Sequence, residues 1–188
     1  MKKEFNMERK LYTLAILAED EPGVLSQVAR LFSRKGYNIE SIVSGATDRP
    51  GVARISIEIV ADELMIEQIA AQCRKILPVK AVRILDEETC IRREIALIKV
   101  VAADHSARDE ILQLTNIFRA KVIDVGRESL TIWVFGSQSK NTALIDMLAD
   151  FGILEIAKTG TIAIERGRST IYDTNKLREE YDYGKNVL

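Results

Sequence analysis

The residue types best suited to binding a small molecule occur in one stretch near the start of the chain, Glu19 to Ser26. Within it, Gly23 falls in the first turn of a predicted helix, where backbone N–H groups lack intrahelical partners and the helix dipole favours an anion. A glycine there admits a ligand that a Cβ would block. The stretch therefore predicts a site for a small carboxylate, such as that of an amino acid, on the helix start at Gly23 and Val24.

Other side chains could complete such a site. Asp20, just before the turn, could accept a hydrogen bond from a ligand's ammonium group, and Asn38, after the helix, carries an amide that both donates and accepts. The same residue types also form ordinary helix caps and turns. Taken alone, they favour that structural interpretation over a ligand site.

The sequence contains no pattern typical of a catalytic or metal site. His105 is the only histidine, which leaves no histidine pair for a metal ion and no base that could activate Ser26 as a nucleophile. No phosphate-binding loop of the GxGxxG or GxxxxGK[ST] type occurs. Cys73 and Cys90 lack CxxC spacing and are expected to be buried thiols in a reducing compartment. We expect no catalytic residue, no metal and no cofactor in this chain.

Charge and hydropathy exclude several classes of partner. The 188 residues include 27 Lys and Arg against 28 Asp and Glu, so no strong field would attract nucleic acid or an anionic membrane. The longest apolar runs fall well short of the roughly 20 residues that span a bilayer. The first ten residues lack the apolar stretch of a secretory signal. We therefore expect a cytoplasmic protein that binds neither nucleic acid nor membrane.

Hydrophobic periodicity predicts the elements that position the candidate site. An apolar strand over 11–17 precedes a helix whose apolar residues recur from Val24 at the i, i+4, i+7 and i+8 positions. Strands over 39–45 and 54–59, a helix capped by Asp62 and a strand over 79–85 follow. The order is β-α-β-β-α-β, the ferredoxin-like unit.

The same order recurs in the second half. It predicts a strand over 95–101, a helix starting near Ser106, a hairpin over 122–135, a helix capped by Ser139 and strand material over 153–164. The predicted fold class is α+β, with two ferredoxin-like units. The predicted divisions are an N-terminal extension 1–9, a first domain 10–86, a second domain 91–167 and a C-terminal tail 168–188, with a weak helix possible near Lys176 to Tyr181.

The first strand is apolar on both faces, although a two-layer unit covers only one sheet face with helices. Its second face is therefore expected to pair with another copy of the unit, within the chain or in a homodimer. Two other features have alternative interpretations. Trp133, in an alternating strand, belongs to the core or to an interface, and Arg92-Arg93-Glu94 forms a solvated strand end or a docking surface.

The chain resembles ACT domains, small regulatory modules with this element order and a Pro-Gly-Val-Leu helix start, and more narrowly the small, regulatory subunits of acetohydroxyacid synthase (acetolactate synthase). The resemblance extends from about residue 10 to residue 167. It depends on motifs that occur in order along the chain: Glu21 to Ser26, Leu31 to Ser41, Arg93-Glu94, Ile117 to Val125, Thr159-Gly160 and Arg166-Gly167.

This resemblance implies an N-terminal ACT domain, a C-terminal ferredoxin-like domain and a homodimer that stimulates a catalytic (large) subunit. It implies feedback inhibition by valine or a related branched-chain amino acid, with thiamine diphosphate, FAD and magnesium held by the catalytic partner. The family's effector contacts fall on Asp20, Gly23, Val24 and Leu25 of one protomer and on Asn38 and Ile39 of its neighbour. Many members carry asparagine where this chain has Asp20, whose carboxylate would attract a ligand's ammonium and repel its carboxylate.

The sequence favours two alternative functions less strongly. A free-standing ACT-domain sensor could control another enzyme or transcription, but no helix-turn-helix pattern or basic patch supports DNA contact, and the second-half motif around Phe118 and Asp124 argues against it. A small acyl phosphatase on the ferredoxin-like fold would need an anion-binding loop with a positioned arginine, which the first unit lacks.

Overall fold

The computed structural model describes residues 8–85 and 87–175. Residues 1–7, Asp86 of the predicted linker and the weak helix predicted near 176–181 lie outside the described residues. Within the described residues the chain forms two units: one contains residues 8–85, 87–91 and 162–175, and the other contains residues 92–161. Both sheets are antiparallel, the first with four strands and the second with five, and two α-helices accompany each, which confirms the predicted α+β class and its two ferredoxin-like βαββαβ units.

The first unit has the predicted element order. Its sheet has the strand order β2-β3-β1-β4, so β1 lies in the interior and β2 lies at one edge. The elements are β1 (Lys10–Glu19), α1 (Val24–Lys35), β2 (Ser41–Ala46), β3 (Val52–Ala61), α2 (Glu63–Cys73) and β4 (Val79–Leu85).

Helix α1 is positioned by the apolar stripe that the sequence predicted. Val24, Val28, Leu31 and Phe32 are its buried residues, and they pack in one core with the helix-facing residues of β1 and β3. The helix ends at Gly36, whose left-handed φ of 70° lets Tyr37 N donate to Phe32 O at 3.0 Å. This pattern satisfies backbone carbonyls at the helix end. Glycines thus lie at both ends of α1, Gly23 at its start and Gly36 at its end.

The second unit contains β5 (Cys90–Val101), α3 (His105–Ile117), β6 (Lys121–Val125), β7 (Ser129–Gly136), α4 (Gln138–Ala149) and β8 (Ile153–Lys158), with strand order β6-β7-β5-β8. Helix α3 begins at His105, close to the predicted start near Ser106, and its N-cap is Asp104, whose side chain accepts from Ala107 N at 2.8 Å. The cap predicted for α4 was wrong, because Ser137, not Ser139, caps that helix. Both of these side-chain caps have extended backbone.

Strand β5 begins five residues before its predicted start, and this overturns the interpretation of Arg92-Arg93-Glu94 as a solvated strand end. All three residues lie inside the strand, and Glu94 is buried. Asn141 Nδ2 donates to the Glu94 carboxylate and to its backbone oxygen, each at 3.2 Å. A buried amide therefore satisfies part of the hydrogen-bonding capacity of a buried carboxylate.

The segment after residue 161 lies with the first unit, whereas the sequence placed residues up to 167 in the second. It contains β9 (Ile162–Glu165), which pairs with β5, and a short 3-10 helix, Ile171–Asn175. Ala163 and Ile171 join a buried cluster with Ala15 and Leu17 on the helix-free face of the first sheet. This face was expected to need another copy of the unit, but the returning chain itself covers part of it. Ile171, in the segment that the sequence assigned to the C-terminal tail, is only 4% exposed.

Both cysteines are free and buried, as the sequence predicted. Burial in apolar surroundings raises the pKa of the Cys73 thiol to about 12. Since the thiolate is the nucleophile, the Cys73 thiol stays protonated and unreactive at neutral pH.

We expect iodoacetamide at pH 8 to modify Cys73 of the native chain far more slowly than Cys73 of the chain unfolded in urea. Peptide mass spectrometry at timed intervals measures both rates. Equal rates in the two states would contradict the buried position of this thiol.

Candidate functional site

The loop between β1 and α1 is anchored by backbone hydrogen bonds at its start. Glu19 N donates to Pro78 O at 2.9 Å, and Asp20 N donates to Gly51 O at 3.0 Å. The first bond fixes the loop to the turn before β4 and the second fixes it to the turn between β2 and β3. The side chain of Asp20 is exposed, so its carboxylate can meet a ligand while its backbone stays in place.

Gly23 leaves the first turn of α1 open. It is the N-cap, with φ 90° and ψ −12°, and it has no side chain to accept from the helix N–H groups. The three other α-helices in residues 8–85 and 87–175 are capped by their own side chains, namely Asp62, Asp104 and Ser137. A Cβ built at Gly23 would meet no atom within 4 Å. Val24 N already donates to Glu21 O at 3.4 Å, so the N–H groups of Leu25 and Ser26 are the first-turn donors that an anion could use.

Val24 and Leu25 face different surroundings. Val24 is 5% exposed and packs in the core, so only its backbone can contact a ligand. Leu25 is 43% exposed, and its side chain is available for an apolar contact beside the helix start. The structure thus places a carboxylate, backbone donors and an apolar side chain close together along the chain, with Asp20 and Gly23 before α1 and Val24 and Leu25 in its first turn.

Asn38 and Ile39 follow the glycine that ends α1. Asn38 is exposed, and its Nδ2 donates to Glu40 Oε1 at 2.7 Å. Ile39 is half-buried against the first core, and Tyr37 packs edge-to-face on Phe32 with the ring centroids 6.4 Å apart. A ligand that uses the Asn38 amide donor must therefore compete with Glu40. The assignment of Asn38 and Ile39 to a neighbouring protomer stays a prediction.

The turn between β2 and β3 is the part of the site that the sequence analysis missed. The register that pairs Glu19 with Val52 brings Gly51 to the loop between β1 and α1. Within the turn, Thr47 Oγ1 donates to Val52 O at 2.9 Å and accepts from Arg49 N at 3.1 Å. No local sequence signal could have indicated this neighbour, because it depends on the pairing of β1 with β3.

Possible metal ligands and long apolar helices are the other features that residue type can indicate. No group of three or more His, Cys, Asp or Glu residues within 8–85 and 87–175 could hold a metal ion. His105 lies at the exposed start of α3 with Asp109 Oδ2 at 3.8 Å. In the same part of the chain, no helix is long and apolar enough to cross a bilayer.

Comparison with known proteins identifies the family of this chain. Residues 14–80 match the model of the ACT domain of acetohydroxyacid synthase small subunits, and residues 93–167 match the model of the small subunit of acetolactate synthase. The chain is 45% identical to the acetolactate synthase small subunit of Mycobacterium bovis over 161 residues, which cover 86% of this chain and 95% of that protein. The chain belongs to the acetolactate synthase small-subunit family.

Other members of the small-subunit family extend the match. The Aquifex aeolicus small subunit is 39% identical over 165 residues, covering 88% of this chain and 86% of that protein. The crystal structure of the small subunit from Thermotoga maritima superposes with a TM-score of 0.79 at 40% identity, covering 85% of this chain and 99% of that one. The ACT match includes every candidate site residue, from Asp20 to Ile39.

Proposed function

We propose that this chain is a regulatory subunit of acetolactate synthase in branched-chain amino-acid biosynthesis. It binds the catalytic large subunit, stimulates it and confers feedback inhibition by valine, or by leucine or isoleucine, bound at the start of α1. The observation that carries the proposal is the uncapped N-terminus of α1 at Gly23, inside a domain that matches the family's ACT model. The chain itself contributes no catalytic residue; thiamine diphosphate, FAD and magnesium belong to the catalytic partner.

The chemistry of the loop suits an α-amino acid. The ligand's carboxylate accepts hydrogen bonds from the backbone N–H groups at the start of α1, where the helix dipole adds to the attraction. Its ammonium group pairs with the exposed carboxylate of Asp20. Its aliphatic side chain packs on Leu25 and on Ile39 of a second protomer. Charge repulsion between Asp20 and the ligand's carboxylate selects the pose that points the ammonium toward Asp20.

The second protomer in this proposal joins through the edge of the first sheet. Strand β2 is an edge strand whose outer backbone groups have no neighbour within the sheet, and edge strands readily pair with another chain. Ile42 on this strand is among the exposed large hydrophobic residues. Pairing two β2 strands would create a continuous sheet. Asn38 lies three residues before β2, which places it close to such an interface.

Selectivity among aliphatic effectors should be modest. One methylene in an apolar pocket changes the binding free energy by about 1–3 kcal/mol. Valine differs from leucine or isoleucine by one methylene, so only contacts with Leu25 and Ile39 would distinguish them. Inhibition itself requires a coupling free energy between effector site and catalytic subunit, typically about 1–3 kcal/mol. Neither effect demands a catalytic group on this chain.

Reconstitution with the catalytic subunit from the same source tests the proposal. We expect this chain to co-purify with that subunit, to raise its acetolactate synthase activity and to make the activity sensitive to valine, leucine or isoleucine. Each amino acid should be titrated with and without the chain, since the catalytic subunit alone provides the baseline. A catalytic subunit that neither binds the chain nor changes its activity would reject the proposed role.

A further inference from the structure

The returning C-terminal segment is held on the first unit by two arginines. Arg54 Nη2 donates to Ala163 O at 2.6 Å, and Arg83 Nη1 lies 2.8 Å from Glu165 Oε2. Arg83 also donates to Thr170 O, just before the 3-10 helix. Both arginines project from the helix-free face of the first sheet, where Ile171 is buried. These contacts hold the segment on the first unit from β9 to the start of the 3-10 helix.

Tyr172 extends this segment to the turn between β2 and β3. Its hydroxyl lies 3.2 Å from Asp48 Oδ1, and the Arg49 guanidinium lies over its ring, 3.7 Å from the centroid. A cation at that distance from an aromatic face is attracted by the ring quadrupole. We call this group of three residues, Asp48, Arg49 and Tyr172, the latch.

One turn separates the latch from the candidate effector site. Arg49 N is bound by Thr47 Oγ1, and Val52 N donates to Arg49 O at 3.2 Å, so the turn is internally closed. Two residues further along the chain, the carbonyl of Gly51 accepts from Asp20 N. A change in the position of the turn therefore changes the position of Asp20.

We propose that the latch is a conformational coupling element: docking of Tyr172 on the turn stabilises the effector-binding form of the loop at Asp20. This inference rests on the proposed function, because it names a regulator of that same site. By reciprocity, an effector that binds the docked form favours closure of the latch. The C-terminal segment and the effector loop then respond to each other through residues of a single unit.

The direct test is valine affinity, measured by calorimetry on the full chain. We expect Tyr172→Ala and Arg49→Ala each to weaken valine binding by about 3- to 10-fold, because each removes the cation–aromatic contact. Tyr172→Ala also removes the hydrogen bond to Asp48. The double variant should weaken binding no more than the stronger single one, because both changes break the same contact. Lys121→Ala is the matched control, since Lys121 lies over Trp133 in the second unit; it should leave valine affinity unchanged.

A second readout separates failure of the latch from failure of the proposed function. Amide hydrogen exchange at Asp20, followed by NMR without ligand, reports on its bond to Gly51 directly. Opening of the latch should speed this exchange by about 3- to 10-fold in Tyr172→Ala, and Arg49→Ala, which removes the same cation–aromatic contact, serves if that variant folds poorly. If the wild-type chain binds none of valine, leucine and isoleucine, the proposed function fails and exchange alone decides on the latch. Unchanged exchange at Asp20, or unchanged valine affinity in a folded variant of a binding-competent chain, overturns the latch.

Discussion

Gly23→Asp is expected to weaken valine binding by about 100-fold or more, and so to abolish feedback inhibition of the reconstituted enzyme. An aspartate at Gly23 would place its own carboxylate in the open space beside the backbone N–H groups of the first turn. It would occupy the donors that the ligand's carboxylate needs, and charge-assisted hydrogen bonds of this kind contribute about 1.5–3 kcal/mol each. Its charge would also add to that of Asp20 against an incoming carboxylate.

The fold should survive this substitution. A Cβ at Gly23 meets no other atom within 4 Å, and aspartate tolerates positive φ better than most residues. Valine affinity is measured by calorimetry, and inhibition by assay with the catalytic subunit. We expect stimulation of the catalytic subunit to persist while sensitivity to valine disappears.

Gly152→Asp is the matched control for Gly23→Asp. Gly152 has φ 89° against 90° for Gly23, and a Cβ there makes only ordinary contact with Val101, at 3.6 Å. The substitution therefore imposes similar backbone strain and the same charge in the second unit. Valine affinity should stay within about twofold of wild type, as for independent sites. If both variants lose binding equally, or if Gly23→Asp retains it, the site is not at the start of α1.

Phe32→Ala is expected to lower the free energy of unfolding of the first unit by about 3–5 kcal/mol, the usual cost of emptying a large aromatic position in a core. Phe32 is 1% exposed, packs between α1 and the sheet and contacts Tyr37. Its loss leaves a cavity beneath the helix that carries the candidate site. The turn at Gly36 to Ile39 would loosen as well, because Tyr37 packs on this ring.

Urea unfolding followed by circular dichroism measures this change, and fluorescence of Trp133, the only tryptophan, reports separately on the second unit. Leu77→Ala provides the control, since Leu77 is 97% exposed; it should change stability by less than about 0.5 kcal/mol. A loss below about 1 kcal/mol in Phe32→Ala would contradict the packing of α1 described above.

The sequence predicted the element order because local periodicity determines it. The stripe from Val24 to Phe32 could only suit a helix with one buried face, and Asp62 caps α2 as expected, accepting from Met65 N at 2.8 Å. Local pattern was less reliable at boundaries. Serines at 137 and 139 are chemically equivalent as caps, and only the backbone conformation after β7 selects the first.

Features that depend on distant partners could not be predicted from the sequence. The burial of Glu94 depends on Asn141, 47 residues away, and that of Ile171 on strands more than 80 residues earlier. The candidate site likewise combines a feature set by adjacent residues with one set by distant pairing. The open helix start at Gly23 follows from adjacent residues, whereas its connection to the turn at Gly51 follows from the pairing of β1 with β3.

The central claim is that a branched-chain amino acid binds the backbone at the start of α1. Titration of valine into the ¹⁵N-labelled full chain, followed by amide NMR, tests it residue by residue. We expect the largest saturable shifts at the amides of Val24, Leu25 and Ser26, with little change in α3 and α4. Shifts that saturate elsewhere, or a spectrum unchanged by valine, leucine and isoleucine alike, would contradict the claim.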